Sequence, residues 1–325
     1  MKPLTFQPLL KQYLWGGRRL GSLLAKPIGD GDDYAESWEL VDHGEDQSVV
    51  ADGSLAGRTL AQLVTEHGAE LFGRHHLVDG QPRKQFPLLF KFLDACRTLS
   101  VQVHPNDEQG AKLDPPDLGK TEAWLVLATE PGGKIYAGLK AGVDRGALSA
   151  AIAEGRCDEC LHAFEPAAGD CVFIPAGTVH ALGEGLVIAE IQQASNTTFR
   201  LFDWNRVGKD GKPRPLHVEE SLEVTDYARG PVSPQTPEKL PGGIERLVAC
   251  DKFVLDRRFI AGRGPAIGGD DRFHILSTIE GDAELFWQDE SIAMPLGATV
   301  LAPAAAGEFH IDSDGGATVL DMYLP

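Results

Sequence analysis

Two stretches of the chain show the helical spacing of apolar residues. Between positions 57 and 73, GRTLAQLVTEHGAELFG, apolar side chains recur three or four positions apart, which predicts an amphipathic helix that ends near Gly73. A second, shorter helix is predicted over 144–154, where Asp144 is a suitable N-terminal cap. Helices therefore account for a small part of the chain.

Most other apolar positions fall in short runs rich in Val, Ile, Leu and Phe, which Gly, Pro and Asp separate. These runs are WLVLAT, KIYAGL, CVFIPAG, LVIAEIQ, HILSTIEG, AELFWQ, ATVLAP and ATVLDMYL. Such a density of short strands predicts a mainly β protein, a sandwich or jelly roll that carries a few short helices.

The stretch LSVQVHP (99–105) places polar residues at alternate positions of a predicted strand. Because neighbouring side chains of a strand point to opposite faces, Gln102 and His104 should point together, away from Val101 and Val103. A solvated edge strand is the simpler explanation of an isolated pattern of this kind. The choice depends on whether other candidate ligands exist.

A connector is predicted at GPVSPQTPEKLPGG (230–243), which holds four prolines and three glycines. We place a domain boundary between residues 232 and 233. The two sides resemble one another, since GDCVFIPAGTVH (169–180) is similar to GATVLAPAAAGEFH (297–310) and EAWLVLATEPG (122–132) to DRFHILSTIEG (271–281). An internal duplication would explain these short matches, and chance is the alternative.

The two copies differ at the positions where chemistry is expected. Gly177 and His180 of the first copy correspond to Ala305 and Glu308 of the second, and nothing in the second matches Q-x-H. The C-terminal copy is therefore predicted to be structural.

Composition and charge narrow the function classes. The chain has 325 residues, 42% of them hydrophobic, and a formal net charge of −18. That charge argues against nucleic acid or an anionic membrane as a partner, and a phosphorylated small molecule requires a local cluster of Lys and Arg. No apolar stretch approaches the length of a membrane span, and no obligate protein partner is evident, so we expect a soluble cytoplasmic protein.

The five cysteines suit reduced intracellular thiols better than a disulfide framework. Cys157 and Cys160 form a C-x-x-C with no second pair at zinc-finger spacing, and we interpret CDEC, like DGDD (30–33), as a solvated turn.

Three separate stretches supply candidate metal ligands. These are Gln102 with His104, Glu122 in GKTEAW, and His180 in PAGTVHAL. Two imidazoles, one carboxylate and one amide oxygen suit Zn²⁺, and would also accept Mn²⁺, Fe²⁺ or Co²⁺. Such an ion keeps a net positive charge, so it can act as a Lewis acid where a coordination position is open.

The stretch 169–180 matches the second cupin motif in its Gly169, Pro175, Gly177 and His180, although Glu184 stands where that motif has Asn. The first cupin motif is altered, because Q-x-H replaces H-x-H and Glu122 lies eighteen residues after His104.

This departure accompanies a resemblance to one family. Seven segments, in order along the chain, resemble the zinc-dependent mannose-6-phosphate isomerases of the cupin type, in their short bacterial form. They are YLWGGRRL, ESWEL, PLLFKFLDACRTLSVQVHPND, GKTEAWLVL, GDCVFIPAGTVHALGEG, EIQQASNTTFRLFDWNR and KPRPLH. The resemblance spans about the first 220 residues.

The resemblance implies a double-cupin fold of two jelly-roll β-barrels. Residues 1–232 would form a catalytic metal-binding cupin domain with helical insertions, and residues 233–325 a cupin-like domain without a metal site. The implied site has one Zn²⁺ per chain, held by Gln102, His104, Glu122 and His180. Gln102 could instead orient a ligand from outside the coordination shell.

The resemblance also implies roles for four further residues. Arg200 would be the catalytic arginine, Lys120 would lie at the site, and Lys91 and Ser100 would approach the substrate phosphate. Each has a structural alternative: Arg200 could pair with Asp203 on the surface, and Lys91 could belong to a buried ion pair. For His217, Trp15, Trp38 and Trp204 we favour a place in the core or in turns over a place at the site.

The implied reaction interconverts mannose 6-phosphate and fructose 6-phosphate by proton transfer between C1 and C2 through a cis-enediol, a step of carbohydrate metabolism. Lys120, Glu190 and a hydroxide held at the metal are all candidates for the base. Two alternatives are an Fe²⁺ cupin oxygenase and a sugar-phosphate-binding cupin that regulates a partner. The cations Lys91, Lys120, Arg200 and Arg206 argue against an oxygenase with an uncharged substrate.

Overall fold

Strands dominate the computed structural model, which describes residues 1–207 and 211–325. The N-terminal two thirds contain β1 (Leu4–Gln7), β2 (Leu9–Gly17), β3 (Tyr34–Leu40), β4 (Asp42–His43), β5 (Asp46–Gln47), β6 (Val49–Val50), β7 (Leu77–Val78), β8 (Gln81–Pro82), β9 (Leu88–Ala95), β10 (Val101–Val103), β11 (Glu122–Thr129), β12 (Ile135–Leu139), β13 (Leu161–Phe164), β14 (Cys171–Ile174), β15 (His180–Leu182), β16 (Leu186–Gln193) and β17 (Phe199–Phe202). The remainder contains β18 (Glu238–Leu240), β19 (Ile244–Ala249), β20 (Val254–Arg263), β21 (Ile267–Gly268), β22 (His274–Gly281), β23 (Ala283–Trp287), β24 (Glu290–Met294), β25 (Thr299–Ala302) and β26 (Glu308–Tyr323).

The helices are few and short, as predicted. They are α1 (Arg19–Leu24), α2 (Leu60–Phe72), α3 (Asp107–Gly110), α4 (Arg145–Ala153) and α5 (Val218–Val224), with 3₁₀ turns at Gly53–Leu55, Gly73–His75, Cys157–Cys160 and Ala304–Ala306. The prediction of a mainly β fold with a few short helices is confirmed. No helix within the described residues is both long and apolar enough to cross a membrane.

Both predicted helices form, and their ends follow from capping. Helix α2 begins at Leu60 and not at 57, because Thr59 and Gln62 form a reciprocal capping box at that point. It ends at Phe72, and the Gly73 that caps it has a φ of 53°, which glycine adopts most easily. Helix α4 is capped as predicted, since Asp144 Oδ1 accepts a hydrogen bond from the Ala147 N–H at 2.8 Å.

The CDEC segment is a turn, as predicted, but only its two acidic residues are solvated. It is a 3₁₀ turn in which Asp158 and Glu159 are exposed, whereas Cys157 and Cys160 are buried in the apolar cluster around Val101 and Leu148. Burial raises the pKa of the Cys157 thiol to about 12, which keeps it protonated and unreactive. DGDD, by contrast, lies in an irregular stretch of exposed and half-buried residues.

Three large sheets contain most of the strands of the described residues, and β4 with β5 and β7 with β8 form two further two-stranded sheets. A six-stranded sheet has the order β14-β11-β16-β9-β3-β2, and a five-stranded sheet the order β13-β12-β15-β10-β17. Their inner faces pack together through Leu93, Trp124, Val126, Ile135 and Leu182. The third sheet has eleven strands and takes up β18–β26 together with β1 and β6.

The two halves of the chain share strands and core. Strand β1 pairs with β25 of the C-terminal half, with Leu4 opposite Leu301, and also with β6. The largest apolar cluster joins Phe72 and Phe86 to Phe273, and their rings are in contact. The connector is irregular over 231–237 and then forms β18, a strand that its prolines did not predict. The division at 232/233 stays a prediction.

The C-terminal sheet contains its own buried polar cluster. Asp321 is fully buried and accepts hydrogen bonds from His274 Nδ1 at 2.7 Å and from Arg258 Nε at 2.8 Å. Burial lowers the pKa of His274, but Asp321 and Asp270 outweigh this effect and raise it to about 9. The imidazolium is therefore paired inside the sheet, which is the role of a structural histidine.

Candidate active site

The predicted metal ligands lie between the six-stranded and five-stranded sheets. His104 directly follows β10, and His180 begins β15, in which it is the register partner of Gln102. Glu122 begins β11 in the facing sheet. Strands that are distant in sequence therefore deliver these side chains to one place.

The conformation of the turn before His180 accounts for Gly177 and Pro175 of the motif. Gly177 has a φ of +83°, and a Cβ there would lie 3.1 Å from the carbonyl oxygen of Val224. Its N–H donates to the His104 carbonyl at 2.9 Å, while the Thr178 N–H donates to that of Pro175. The cupin-like spacing of 169–180 thus ties the turn that carries His180 to the segment that carries His104.

Three of the candidate ligands converge closely. His180 Nε2 lies 3.3 Å from Glu122 Oε1, and His104 Nε2 lies 3.5 Å from Glu122 Oε2. The ligand atoms of His104, Glu122 and His180 all lie within 4.8 Å of one another, and all three residues are buried. This spacing is compatible with a single metal ion between them.

Backbone carbonyls orient both imidazoles. His104 Nδ1 lies 2.9 Å from the carbonyl oxygen of Thr197, and His180 Nδ1 lies 2.8 Å from that of Thr178. If each Nδ1 carries the proton, each Nε2 presents a lone pair to Glu122. Burial lowers the pKa of His180 to about 4 and that of His104 well below its usual value, so both rings are neutral near pH 7.

The donor set fits a divalent cation. His180 Nε2 and Glu122 Oε1 are buried and have no hydrogen-bond partner among the residues that the structure describes. Buried polar atoms without partners cost free energy, and a metal ion between them would remove that cost. Gln102 lines the adjoining cavity and stays a predicted fourth ligand.

Two lysines and two further carboxylates surround the group. Lys120 Nζ lies 2.8 Å from Glu122 Oε2, 3.2 Å from His104 Nε2 and 3.8 Å from Glu190 Oε1. Lys91 Nζ lies 3.3 Å from both Glu36 Oε2 and Glu190 Oε1. Lys91 therefore belongs to a buried ion-pair network, the structural alternative that the sequence left open.

Burial and the ion-pair network shift the pKa values of two neighbouring carboxyls, Glu122 and Glu190, in opposite directions. Burial, with the charge of Glu190 added, raises the pKa of Glu122 to about 7 against the opposing effect of Lys120. Burial also acts to raise the pKa of Glu190, but Lys91 and Lys120 outweigh it and lower that pKa. Glu190 is therefore ionised at neutral pH, and a bound cation would favour the ionised form of Glu122.

A cavity of about 300 Å³ opens beside the group, a size that suits a small polar molecule. Its charged and polar lining residues include Glu36, Lys91, Ser100, Gln102, Lys120, Glu190, Thr198, Arg200 and Arg214, and its aromatic ones Tyr13, Trp15, Trp38 and Trp124. Trp15 and Trp38 line the cavity and also pack in apolar clusters, Trp38 with Val41 and Leu89 and Trp15 against the cluster of Leu93, so a place in the core and a place at the site are not alternatives for them. Trp204 and His217 instead hydrogen-bond to Leu99 O and the Arg200 N–H.

Arg200 lies in the cavity wall and does not hydrogen-bond to Asp203. Its Nε donates to Ser100 Oγ at 3.3 Å and its Nη1 to the Pro215 carbonyl at 3.0 Å. The Asp203 carboxylate accepts from Arg206 and Arg214 instead. Burial, with the nearby Arg214 adding to the effect, lowers the pKa of Arg200.

A β-bulge interrupts the regular alternation of side chains in β17 next to Arg200. Thr198 and Arg200 line the cavity, but Phe202 packs with Val101 in an apolar cluster. The register places Arg200 opposite Gln102 and Phe202 opposite Val101, so one extra residue of β17 lies between the two pairs. A regular strand would have placed Phe202 on the same face as Arg200, and the bulge instead turns it towards the apolar cluster.

Comparison with known proteins assigns the chain to a family. Residues 4–122 match the model for the catalytic domain of type I phosphomannose isomerase. The mannose-6-phosphate isomerase ManA of Bacillus subtilis is 33% identical over 323 residues, which is 96% of each chain. The chain belongs to the type I phosphomannose isomerase family. The mannose-6-phosphate isomerase of Streptococcus mutans is also 33% identical, over 316 residues and 96% of each chain.

The structural comparison agrees with this membership. The crystal structure of mannose 6-phosphate isomerase from Bacillus subtilis matches the whole of this chain and the whole of its own, with a TM-score of 0.88 and 29% identity. The cupin fold predicted from the sequence is confirmed by that match. The similarity also covers the C-terminal ninety residues, which contain none of the segments that resemble the family in the sequence analysis.

Type I phosphomannose isomerases are metalloenzymes, and this member has a buried His/Glu/His group that can bind a metal ion. Sequence reasoning missed Glu36, which reaches the cavity from β3 and accepts hydrogen bonds from Lys91 and Trp38. The segment ESWEL was noticed only as part of the resemblance. An isolated glutamate in a strand has no local pattern that would mark it as part of a site.

Proposed function

We propose that the chain interconverts mannose 6-phosphate and fructose 6-phosphate at this cavity, with one Zn²⁺ bound by Gln102, His104, Glu122 and His180. The observation that carries the proposal is that His180 Nε2 and Glu122 Oε1 are buried without a hydrogen-bond partner among the described residues, beside a cavity that several cations line. The chain is also 33% identical, over nearly its whole length, to an enzyme named for this substrate.

The reaction moves a proton between C1 and C2 of the open-chain sugar through a cis-enediol. It needs a base near the migrating proton and positive charge where the sugar oxygens become negative. A divalent ion at the His/Glu/His group would supply Lewis-acid polarisation of a substrate oxygen. The residues of the cavity supply the remaining functions.

Glu190 is the carboxylate best suited to act as the base. It is ionised, it lines the cavity, and Lys91 and Lys120 hold it beside the donor group. It would accept the proton from C2 of the aldose and return it to C1. Lys120, whose three N–H groups lie among Glu122, His104 and Glu190, would exchange protons with the sugar oxygens.

Ser100, Arg200 and Lys91 are the proposed contacts of the phosphate and the sugar chain. Ser100 and Arg200 already share a hydrogen bond, and Arg214 adds a second guanidinium to the same wall of the cavity. Arg206 and Arg214 share the one carboxylate of Asp203, and Arg200 lies close to both, so the three arginines leave excess positive charge that a phosphate dianion would neutralise. Lys91 has two carboxylate partners, so its role in phosphate binding requires its own test.

Lys91→Met is expected to raise KM for mannose 6-phosphate about tenfold or more and also to destabilise the fold. The fold is destabilised because Glu36 and Glu190 stay buried after their lysine partner is removed. This should lower the free energy of unfolding by roughly 3 kcal/mol. Steady-state kinetics and thermal unfolding measure the two effects separately.

The double variant Lys91→Met/Glu36→Gln is the matched control, compared with Glu36→Gln alone. It removes one of the two unbalanced carboxylates and should regain stability while KM stays high. If KM returns to that of Glu36→Gln, Lys91 is a structural ion-pair residue and the phosphate is bound elsewhere, with Arg200 and Arg206 as the next candidates.

The C-terminal residues 233–325 are proposed to be a structural domain beside the catalytic residues 1–232. Strand β1 crosses this division and supplies the edge at which β25 pairs. We further propose that the enzyme is cytoplasmic, as reduced thiols and an intermediate of sugar metabolism as substrate would require. No nucleic-acid, membrane or obligate protein partner is part of the proposal.

A coupled assay tests the function directly. Purified protein should form fructose 6-phosphate from mannose 6-phosphate, lose this activity in excess chelator, and regain it with added Zn²⁺. Turnover that a chelator leaves intact would contradict the metal mechanism. Substrate binding without any turnover would favour the sugar-phosphate-binding alternative, and a requirement for O₂ would favour the oxygenase.

A further inference from the structure

Asp117 lies in the irregular segment between α3 and β11 and accepts an unusual number of hydrogen bonds from one short loop. Its Oδ2 accepts from Thr197 Oγ1 at 2.7 Å, from Ser195 Oγ at 2.9 Å and from the Asn196 N–H at 3.3 Å. Three consecutive residues of the chain are therefore fixed by a single carboxylate oxygen. We call residues 195–197 the acceptor loop, because its Thr197 carbonyl accepts the hydrogen bond of His104.

The acceptor loop directly contacts a candidate metal ligand. The carbonyl oxygen of Thr197 is the acceptor for His104 Nδ1 at 2.9 Å, so the residue that Asp117 binds most closely is the one that orients this ring. Asn196 also lines the cavity. Asp117 itself touches neither His104, Glu122 nor His180, and its influence on them must pass through the loop.

The site of Asp117 requires a carboxylate. Its second oxygen, Oδ1, accepts from the Leu118 N–H at 2.8 Å and lies 3.3 Å from His43 Nε2, so both oxygens act as acceptors. Burial would raise the pKa of Asp117, but the hydrogen bonds from His43, Thr197 and Ser195 outweigh it and hold the pKa well below its usual range. An asparagine could accept at only one of these two positions.

We propose that Asp117 is a positioning residue that sets the metal affinity of the site by holding the Thr197 carbonyl against His104. The proposal rests on the proposed ligand role of His104. Groups that orient a metal-bound histidine through its second nitrogen fix the tautomer and the ring angle, and their loss typically weakens metal binding about 10–100-fold. Asp117 acts one contact further out, so we expect the lower end of this range.

Metal titration of the metal-free protein tests the proposal without reference to turnover. Asp117→Asn should bind Zn²⁺ about tenfold more weakly than the unchanged protein, measured by competition with a chromophoric chelator. The absorption spectrum of the Co²⁺-loaded variant should also change, because a displaced imidazole alters the coordination geometry. Thr197→Val keeps the carbonyl but removes the hydroxyl that binds Asp117, and should reproduce both effects.

A double-mutant cycle and a distant control separate positioning from general destabilisation. Asp117→Asn/Thr197→Val should weaken Zn²⁺ binding little more than either single change, because both remove the same contact. Asp321→Asn, which breaks a buried hydrogen-bonded cluster in the C-terminal sheet, should lower the unfolding temperature and leave Zn²⁺ affinity unchanged. If Asp117→Asn does not fold, the affinity and spectrum of Thr197→Val decide the question.

The proposal is overturned if Asp117→Asn, or Thr197→Val in its place, binds Zn²⁺ with unchanged affinity and an unchanged Co²⁺ spectrum, whatever its unfolding temperature. His104→Ala distinguishes this result from failure of the metal site itself. Loss of Zn²⁺ from His104→Ala with full affinity in Asp117→Asn rejects the positioning role alone. Retention of Zn²⁺ by His104→Ala rejects the ligand assignment and with it the positioning role.

Discussion

His104→Ala and His180→Ala are each expected to lose the bound metal and all measurable isomerase activity while the fold survives. Each change removes one of only two imidazoles in the donor group, which should weaken binding by more than the roughly 10–100-fold cost of an outer contact. The fold should persist because the extensive apolar core around Phe72, Phe86 and Phe273 lies outside the ligand group. Elemental analysis, activity and circular dichroism measure the three quantities.

His162→Ala is a matched control for these two variants. This histidine belongs to β13 of the same five-stranded sheet, but its ring contacts that of Phe164 at a centroid distance of 5.9 Å and is outside the cavity lining. It should keep metal and activity. Retention of metal by either ligand variant would contradict the assignment, and two tightly bound ions per chain would contradict the structural role of the C-terminal domain.

Local patterns predicted those parts of the structure that local interactions determine. The apolar spacing before Gly73 and the cap at Asp144 gave helices α2 and α4 nearly at their observed ends. The cupin motif marked Gly177 ahead of His180, and the structure shows there a turn in which this glycine has a positive φ. In each case the physical cause lies within a few residues of its effect, so a short segment carries the whole signal.

The pairing of strands that lie far apart in the chain could not be predicted from the sequence. Nothing in Leu4–Gln7 indicates that it pairs with β25, almost three hundred residues away, because an apolar strand is equally suited to many neighbours. The bulge that turns Phe202 to the core depends on the partner strand β10 and not on β17 alone. The burial of CDEC is set by elements that pack over it.

The candidate site divides in the same way. His104, Glu122 and His180 could be named because their surroundings resemble those of a known family, and the structure brings them together. Glu36 and Asp117 could not, because each acts through a contact with a residue far along the chain. A carboxylate in a strand or in an irregular segment gives no local sign of the cation or loop that it will meet.

Arg200→Ala is expected to keep its metal and to lower kcat by about two orders of magnitude or more. The guanidinium lies in the cavity wall and, among the residues that the structure describes, pairs with no carboxylate, since Asp203 pairs with Arg206 and Arg214. A half-buried cation without its own anion is placed to stabilise negative charge that develops on the substrate, and removal of one such group typically costs 10²–10³ in rate. Metal analysis and steady-state kinetics with mannose 6-phosphate provide the measurements.

The division of the loss between kcat and KM identifies what Arg200 does. A fall in kcat and in kcat/KM by the same factor means that its contact is made only in the transition state, whereas a rise in KM at constant kcat means uniform binding of the phosphate. Arg200→Lys should recover part of kcat, because it restores the charge but not the forked geometry. Arg206→Ala, which removes a neighbouring arginine already paired with Asp203, should change kcat little, whatever its effect on KM. Unchanged kinetics in Arg200→Ala would exclude it from the reaction and leave Lys120 as the remaining cation beside the metal group.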